Sequence, residues 1–353
     1  MDFGVALPIR RAIERLIDAG DLGYPLPQTG TDLPAIFAER MGFRFDWQID
    51  PGDVRLVSDV VQGIETLLLI YSPEGDGIVV QTPIYPPFLQ AVGGCRRRLV
   101  ENPLVRTTSG WEMDLDRLRA VIDDGTRVLL LCNPHNPTGR SFTRDELEGL
   151  AEVVLERDLL VIADEIHQDL VFRESYHIPF ASLSPEIAWR TVTFTSATKA
   201  FNIAGFGCAV VHIGNKNIRA DFDDLPSRVL GRVSAAATAA VTAAWTDCDE
   251  WAQTVVPYLQ SNRDLVTDFL ARELPDIGYV PPEATYLAWL DCRNLDLQPT
   301  PAAFFLEKAR VALSEGSKFG SPGEGFARLN FATSRAILQE ILDRMKRASE
   351  TSQ

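Results

Sequence analysis

The chain has 353 residues, enough for two domains or for one large domain with an appendage. Its hydrophobic fraction of 46% and charged fraction of 24% are those of an ordinary globular protein in water. A formal charge of −15 argues against nucleic acid or an anionic membrane as partner, because both select basic patches. An anionic small ligand stays compatible, since a helix terminus and a few arginines locally outweigh a diffuse negative surface.

Five cysteines (95, 132, 208, 248 and 292) are odd in number, scattered and free of any CxxC pair. They indicate neither a disulfide framework nor a metal site, and fit a reducing cytoplasm. The start Met1-Asp2-Phe3-Gly4 has no basic segment leading into an apolar one, so no secretion signal is expected. The longest apolar run, 67–71, is far below membrane-spanning length. A soluble cytoplasmic protein is expected.

Ile9, Ile13, Leu16 and Ile17 recur at helical spacing and predict a first helix ending near Gly20. A turn-rich segment, Gly23-Tyr24-Pro25-Leu26-Pro27, follows. Buried strands are predicted at 77–81, 127–132, 159–163 and 191–195, with amphipathic helices at 113–122 and 143–157 between them. Such alternation predicts an α/β fold: a mostly parallel sheet sandwiched by helices, with ligands at the carboxyl ends of the strands. One more apolar run (206–213) precedes an alanine-rich helix (234–245) and a long helix (250–273). Short strands at 286–290 and 327–331 mark a smaller α+β domain. The reading gives a large domain over 25–255 and a small domain from 1–24 and 256–353, with a polar tail from Arg347 expected to fray. No segment resembles a DNA-binding helix pair.

Three predicted strands end in polar groups. After Cys132 comes Asn133-Pro134-His135-Asn136-Pro137-Thr138-Gly139, a rigid turn that can hold an amide in fixed orientation. After Ala163 comes Asp164-Glu165-Ile166-His167, where a half-buried carboxylate needs a cation or strong donors. After Thr195 comes Ser196-Ala197-Thr198-Lys199, in which Ser196 could donate to a phosphate. Lys199 is the only lysine in the first 215 residues, and the chain has five in all, at 199, 216, 308, 318 and 346. An amine in an arginine-rich chain points to chemistry that a permanently protonated guanidinium cannot perform. Arg96, Arg97 and Arg98 read as a solvated cluster.

Together these segments resemble the fold-type I pyridoxal-phosphate enzymes, the superfamily of the class I/II aminotransferases, over nearly the whole chain. The resemblance implies a seven-stranded sheet in the large domain and pyridoxal 5'-phosphate as cofactor. It implies that Asn136 bonds the pyridine O3′, that Asp164 pairs with the protonated pyridine nitrogen, and that Lys199 forms the Schiff base. Tyr85 matches the aromatic residue stacked on the ring, Val60 and Val61 the phosphate-binding helix start, and Arg328 the arginine that clamps the substrate α-carboxylate. Tyr24 matches a tyrosine that reaches the phosphate across a homodimer interface, which implies a composite site. Asp59 stands where many relatives have glycine, so either its carboxylate points away from the phosphate or the match is offset by one residue.

His167 replaces the tyrosine usual in aminotransferases three residues after the aspartate, and no arginine follows Lys199 at the usual phosphate position. With QTPIYPPF, DEIHQDL, SATKAFNIAG, TYLAWLDCR and GFARLNFA, this is similar to the MalY/PatB-type cystathionine β-lyase branch. The resemblance implies cleavage of the Cβ–S bond of cystathionine or cysteine S-conjugates to pyruvate, ammonia and a thiol. A class I/II aminotransferase is the alternative, and regulation of a transcription factor through a surface patch, which some branch members perform, is a minor one. Branch members also begin further upstream, implying a shortened edge of the small domain.

Overall fold

Thr126–Cys132, Leu160–Asp164 and Thr191–Thr195 are nearly continuous apolar or β-branched runs buried on both faces, the composition of central parallel strands. The computed structural model describes residues 1–24, 31–107, 110–226 and 229–350 and places these three in the middle of a seven-stranded sheet. Across it the strands are Val54–Val57, Ala209–Ile213, Thr191–Thr195, Leu160–Asp164, Thr126–Cys132, Gly77–Val80 and Arg98–Glu101. Of these seven, Ala209–Ile213 alone runs opposite to the rest. Alternate residues serve two cores. Val128 and Leu130 pack with Ile64, Leu67 and Phe88 from helices Val60–Tyr71 and Pro86–Gly94. Leu129 and Leu131 pack with Leu118, Leu147 and Val154 from helices Leu115–Val121 and Arg144–Glu156.

The strands expected from apolar runs are present, 191–195 as read and the others with ends shifted by at most three residues. The two edge strands, Val54–Val57 and Arg98–Glu101, were not read from the sequence. Each has only four residues, and Arg98–Glu101 shows two exposed side chains. The arginine cluster is also only partly solvated. Arg96 is exposed and pairs with Glu74, but Arg97 donates to the carbonyls of Cys95, Leu68 and Ser72. It thereby closes the carboxyl end of helix Val60–Tyr71. Arg98 opens the edge strand and bonds Asp123 at 2.7 Å.

A second, antiparallel sheet has the order Gly278–Tyr279, Leu287–Asp291, Phe326–Asn330, Ser314–Glu315. Leu287 and Leu329 from this sheet pack with Leu259 and Val266 of helix Asp249–Glu273 and with Leu338 and Leu342 of helix Arg335–Glu350. The first helix, Leu7–Asp18, lies on the alanine-rich helix Ala235–Asp247. The last helix continues through Arg347 to Glu350, so the described part of the expected fraying tail is helical. The remaining tail, 351–353, and residues 25–27 of the turn-rich segment lie outside the described residues. Among the described residues no helix is long and apolar enough to cross a membrane.

Two glycines set the approach of elements to the sheet end where the polar residues gather. A Cβ on Gly63 would lie 2.3 Å from Phe194, so helix Val60–Tyr71 reaches its depth on the sheet only with glycine there. Gly139 has φ +73° and a Cβ there would meet Pro282 at 2.2 Å, which closes the NPHNPTG turn against the small-sheet side.

Candidate active site

Five strands of the large sheet deliver side chains to one edge. Ser58 and Asp59 follow Val54–Val57, Tyr85 follows Gly77–Val80, Asn136 follows Thr126–Cys132, Asp164 closes Leu160–Asp164, and Ser196 to Lys199 follow Thr191–Thr195. Because Ala209–Ile213 is reversed, its first residue, Ala209, arrives at the same edge. The small sheet closes the space with Tyr286, Leu287, Arg328 and Asn330. The result is one cavity of about 260 Å³.

Backbone and buried side-chain bonds hold these strand ends level. Cys132 and Asp164 are register partners, and Asn133 N–H donates to Asp164 O at 3.0 Å. His135 bridges Thr138 Oγ1 (2.9 Å) and Gln81 O (3.3 Å); burial lowers its pKa to about 4, so it is a neutral staple. Behind Asp164, Glu165 accepts from Phe180 N–H at 2.8 Å and meets His177 Nε2 at 3.1 Å.

Asp164 is buried and its Oδ1 accepts one backbone bond, from Ile166 N–H at 3.0 Å. Burial raises its pKa to about 7, only partly opposed by that N–H and by Lys199. The carboxylate is placed for a cation that this chain does not supply in full. His167 is also buried; desolvation, then the charges of Lys199 and Arg328, lower its pKa to about 3 and keep it neutral. Its Nδ1 has no hydrogen-bond partner among the described residues, and its ring meets Tyr286 edge to face at 5.9 Å. Arg328 Nη1 donates to Asn136 Oδ1 at 2.8 Å and Nη2 to Ser314 Oγ at 3.2 Å, while its guanidinium lies 4.8 Å from the Phe319 ring centre. With its carbonyl accepting from Arg328, Asn136 keeps Nδ2–H to offer a ligand.

The structure brings together Val60, Val61, Tyr85, Asn136, Asp164, His167, Ser196, Lys199 and Arg328, all of which line the cavity. Tyr24 is not among them; it is 92% exposed at the surface. Ser196 lines the cavity, but its Oγ is held by Cys208 O and Thr198 Oγ1 and caps the short helix Ala197–Ala200 through Thr198 N–H. Asp59 is the N-cap of helix Val60–Tyr71, accepting from Gln62 N–H at 3.1 Å, and it too borders the cavity. Sequence reasoning passed over Thr198, Tyr286 and Asn330. Thr198 sat beside Lys199 and could have been flagged as a second hydroxyl. Tyr286 and Asn330 carried no local signal, since each lies in or beside a short apolar strand.

The class I and II aminotransferase family model matches residues 6–345. The chain belongs to that family. Cystathionine beta-lyase PatB of Bacillus subtilis is 35% identical over 351 residues, 99% of this chain and 90% of that one. Among solved structures, OvoB superposes with a TM-score of 0.94 at 37% identity, covering 99% of this chain and 91% of OvoB. Cystalysin from Treponema denticola, which contains pyridoxal 5'-phosphate, superposes with a TM-score of 0.95 at 30% identity, covering 100% and 90% of the two chains.

Proposed function

We propose that this family member is a pyridoxal-phosphate-dependent carbon–sulfur β-lyase that converts cystathionine or related cysteine S-conjugates to pyruvate, ammonia and a thiol. The observation that carries the reading is one cavity in which the Lys199 amine shares space with a buried carboxylate short of a cation, Asp164, and a guanidinium, Arg328. The residues fit the cofactor. Asp164 offers a desolvated acceptor for a ring N–H, and His167 offers an orphaned imidazole nitrogen. Val60 and Val61 present the first backbone N–H groups of a twelve-residue helix, Val60–Tyr71, to an anion.

Bound pyridoxal phosphate supplies the electron sink that makes the substrate Cα–H acidic. Arg328 holds the substrate α-carboxylate in a charge-assisted fork. Asp164 would keep a proton on the ring nitrogen, Tyr85 would pack on the ring face, and Asn136 Nδ2–H would serve the ring oxygen. His167 would stand beside the same ring without adding a positive charge near Lys199. With the cofactor bound, the Lys199 amine would remove the Cα proton and return a proton to the sulfur departing from Cβ.

Transamination would employ the same side chains and differ in where Lys199 delivers its proton. An assay of purified protein with L-cystathionine and no keto acid separates the two. Steady pyruvate release supports the lyase; turnover that strictly requires a keto acid overturns it. A homodimer with a composite site belongs to this reading, because the exposed Tyr24 phenol would serve the cavity of a second chain. A cytoplasmic location is supported by five cysteines that are all unpaired and buried.

A further inference from the structure

Asp59 places a carboxylate at the helix start that, in the reading above, holds the cofactor phosphate. It borders the cavity together with Val60 and Val61 as an exposed N-cap, and its side chain accepts from Gln62 N–H. It therefore takes one of the first-turn N–H groups that an anion would otherwise share. Neutral groups, Ser58, Ser196 and Thr198, make up the other polar lining nearby. Besides Asp59, the charged side chains around the cavity are Asp164, Lys199 and Arg328, and Arg328 bonds Asn136 and Ser314 on the small-sheet side. The loop over Ser58 and Gln62 accepts their bonds through Leu230 O and Val229 O; its Arg232 is exposed. Burial raises the pKa of both Asp164 and Tyr85, and the Asp59 charge adds a small contribution in the same direction.

We infer that Asp59 is a built-in brake on cofactor affinity: its carboxylate and the cofactor phosphate share one helix terminus, so binding takes up a proton and weakens as pH rises. A phosphate monoester has its second pKa near about 6, so at neutral pH it arrives largely as a dianion. Two anions at one site hold a proton that neither would hold alone. That proton comes from solvent, and linkage makes the affinity fall with increasing pH. The inference rests on the cofactor assignment above.

The test titrates the apoprotein with pyridoxal 5'-phosphate calorimetrically between about pH 6.5 and 8.5, in wild type, Asp59→Asn and Asp59→Ser. Both replacements keep an N-cap side chain, so the helix start is preserved. Titrations of the phosphate, the ring and Lys199 are common to all three proteins and cancel in the ratio of dissociation constants. At pH 8.5 both variants should bind about tenfold more tightly than wild type, with the advantage shrinking toward pH 6.5. Equal or weaker binding by the variants at pH 8.5, or a ratio that does not change with pH, overturns the inference alone. No binding of pyridoxal phosphate by wild type overturns the cofactor reading and this inference with it.

Discussion

The large sheet and the small sheet contribute to the cavity in different ways. On the large sheet each functional side chain lies within a few residues of its strand's carboxyl end, so parallel strand direction alone gathers Asn136, Asp164 and Lys199. On the small sheet Arg328 sits mid-strand, paired with Trp289 and Ser314, and reaches Asn136 across 192 residues of sequence. In the proposed function the first region carries the chemistry, on a scaffold buried on both faces. The second would supply recognition, and its geometry depends on how the two sheets meet. With the roles divided in this way, loss of the reaction and loss of recognition should be separable by mutation.

The largest effect should come from Lys199→Ala, which removes the proton carrier and should lower kcat by about 10⁴-fold. Pyridoxal phosphate should still bind noncovalently, as read by its absorbance after gel filtration. Activity near wild type would dissolve the division between the two regions.

Next is Asp164 in the apoprotein, whose folded pKa is raised from 3.8 to about 7 by burial. A carboxyl with a raised folded pKa binds its proton more tightly in the folded state. Its contribution to stability is therefore full below pH 3.8 and lost as pH rises to about 7. The loss is on the order of 4 kcal/mol. His167, whose folded pKa is lowered to about 3, acts with the opposite sign, losing stability as pH falls from 6.5. Comparing Tm against pH for wild type and Asp164→Asn isolates the carboxyl: the variant should gain on wild type between pH 4 and 7. A constant difference would show that Asp164 is not short of a cation.

Arg328→Ala should raise KM for the amino acid about a hundredfold, the value of a charge-assisted bidentate contact, with a smaller change in kcat. Steady-state kinetics read the split. An equal fall in kcat would mean that the small sheet also holds the reacting atoms in place.

Two scaffold substitutions should have the smallest effects. Gly63→Ala would push helix Val60–Tyr71 off Phe194, costing about 1–3 kcal/mol by chemical denaturation and weakening cofactor binding. Thr143→Ala deletes a capping box on helix Arg144–Glu156, away from the cavity, and should cost about 1 kcal/mol with kcat/KM unchanged.

Much of the site was legible because strand ends are local in sequence. A buried apolar run followed directly by Asp164, or by Asn133 to Asn136, announces itself without knowledge of the fold. Arg328 was found through its resemblance to a family position and not through its surroundings, since an arginine in a short strand is otherwise ordinary. Tyr286 escaped for the same reason: its role as a wall beside His167 exists only once strand Leu287–Asp291 pairs with Phe326–Asn330. The edge strands escaped because four residues are too few to show a stable period, and Arg98–Glu101 is in addition half-exposed.

By itself the sequence determined the alternation of strands and helices, the polar strand ends, the single early amine and the family. Each of these is written in contiguous residues, where side-chain period and neighbour identity act over short range. The tertiary structure alone decided which groups are desolvated and which face one another. It made Asp164 short of a cation, kept His167 neutral, locked Asn136 to Arg328 and left Asp59 at the mouth of the helix that would hold the phosphate. Those properties depend on burial and on distances between segments far apart in the chain, and electrostatic interactions take their size from both.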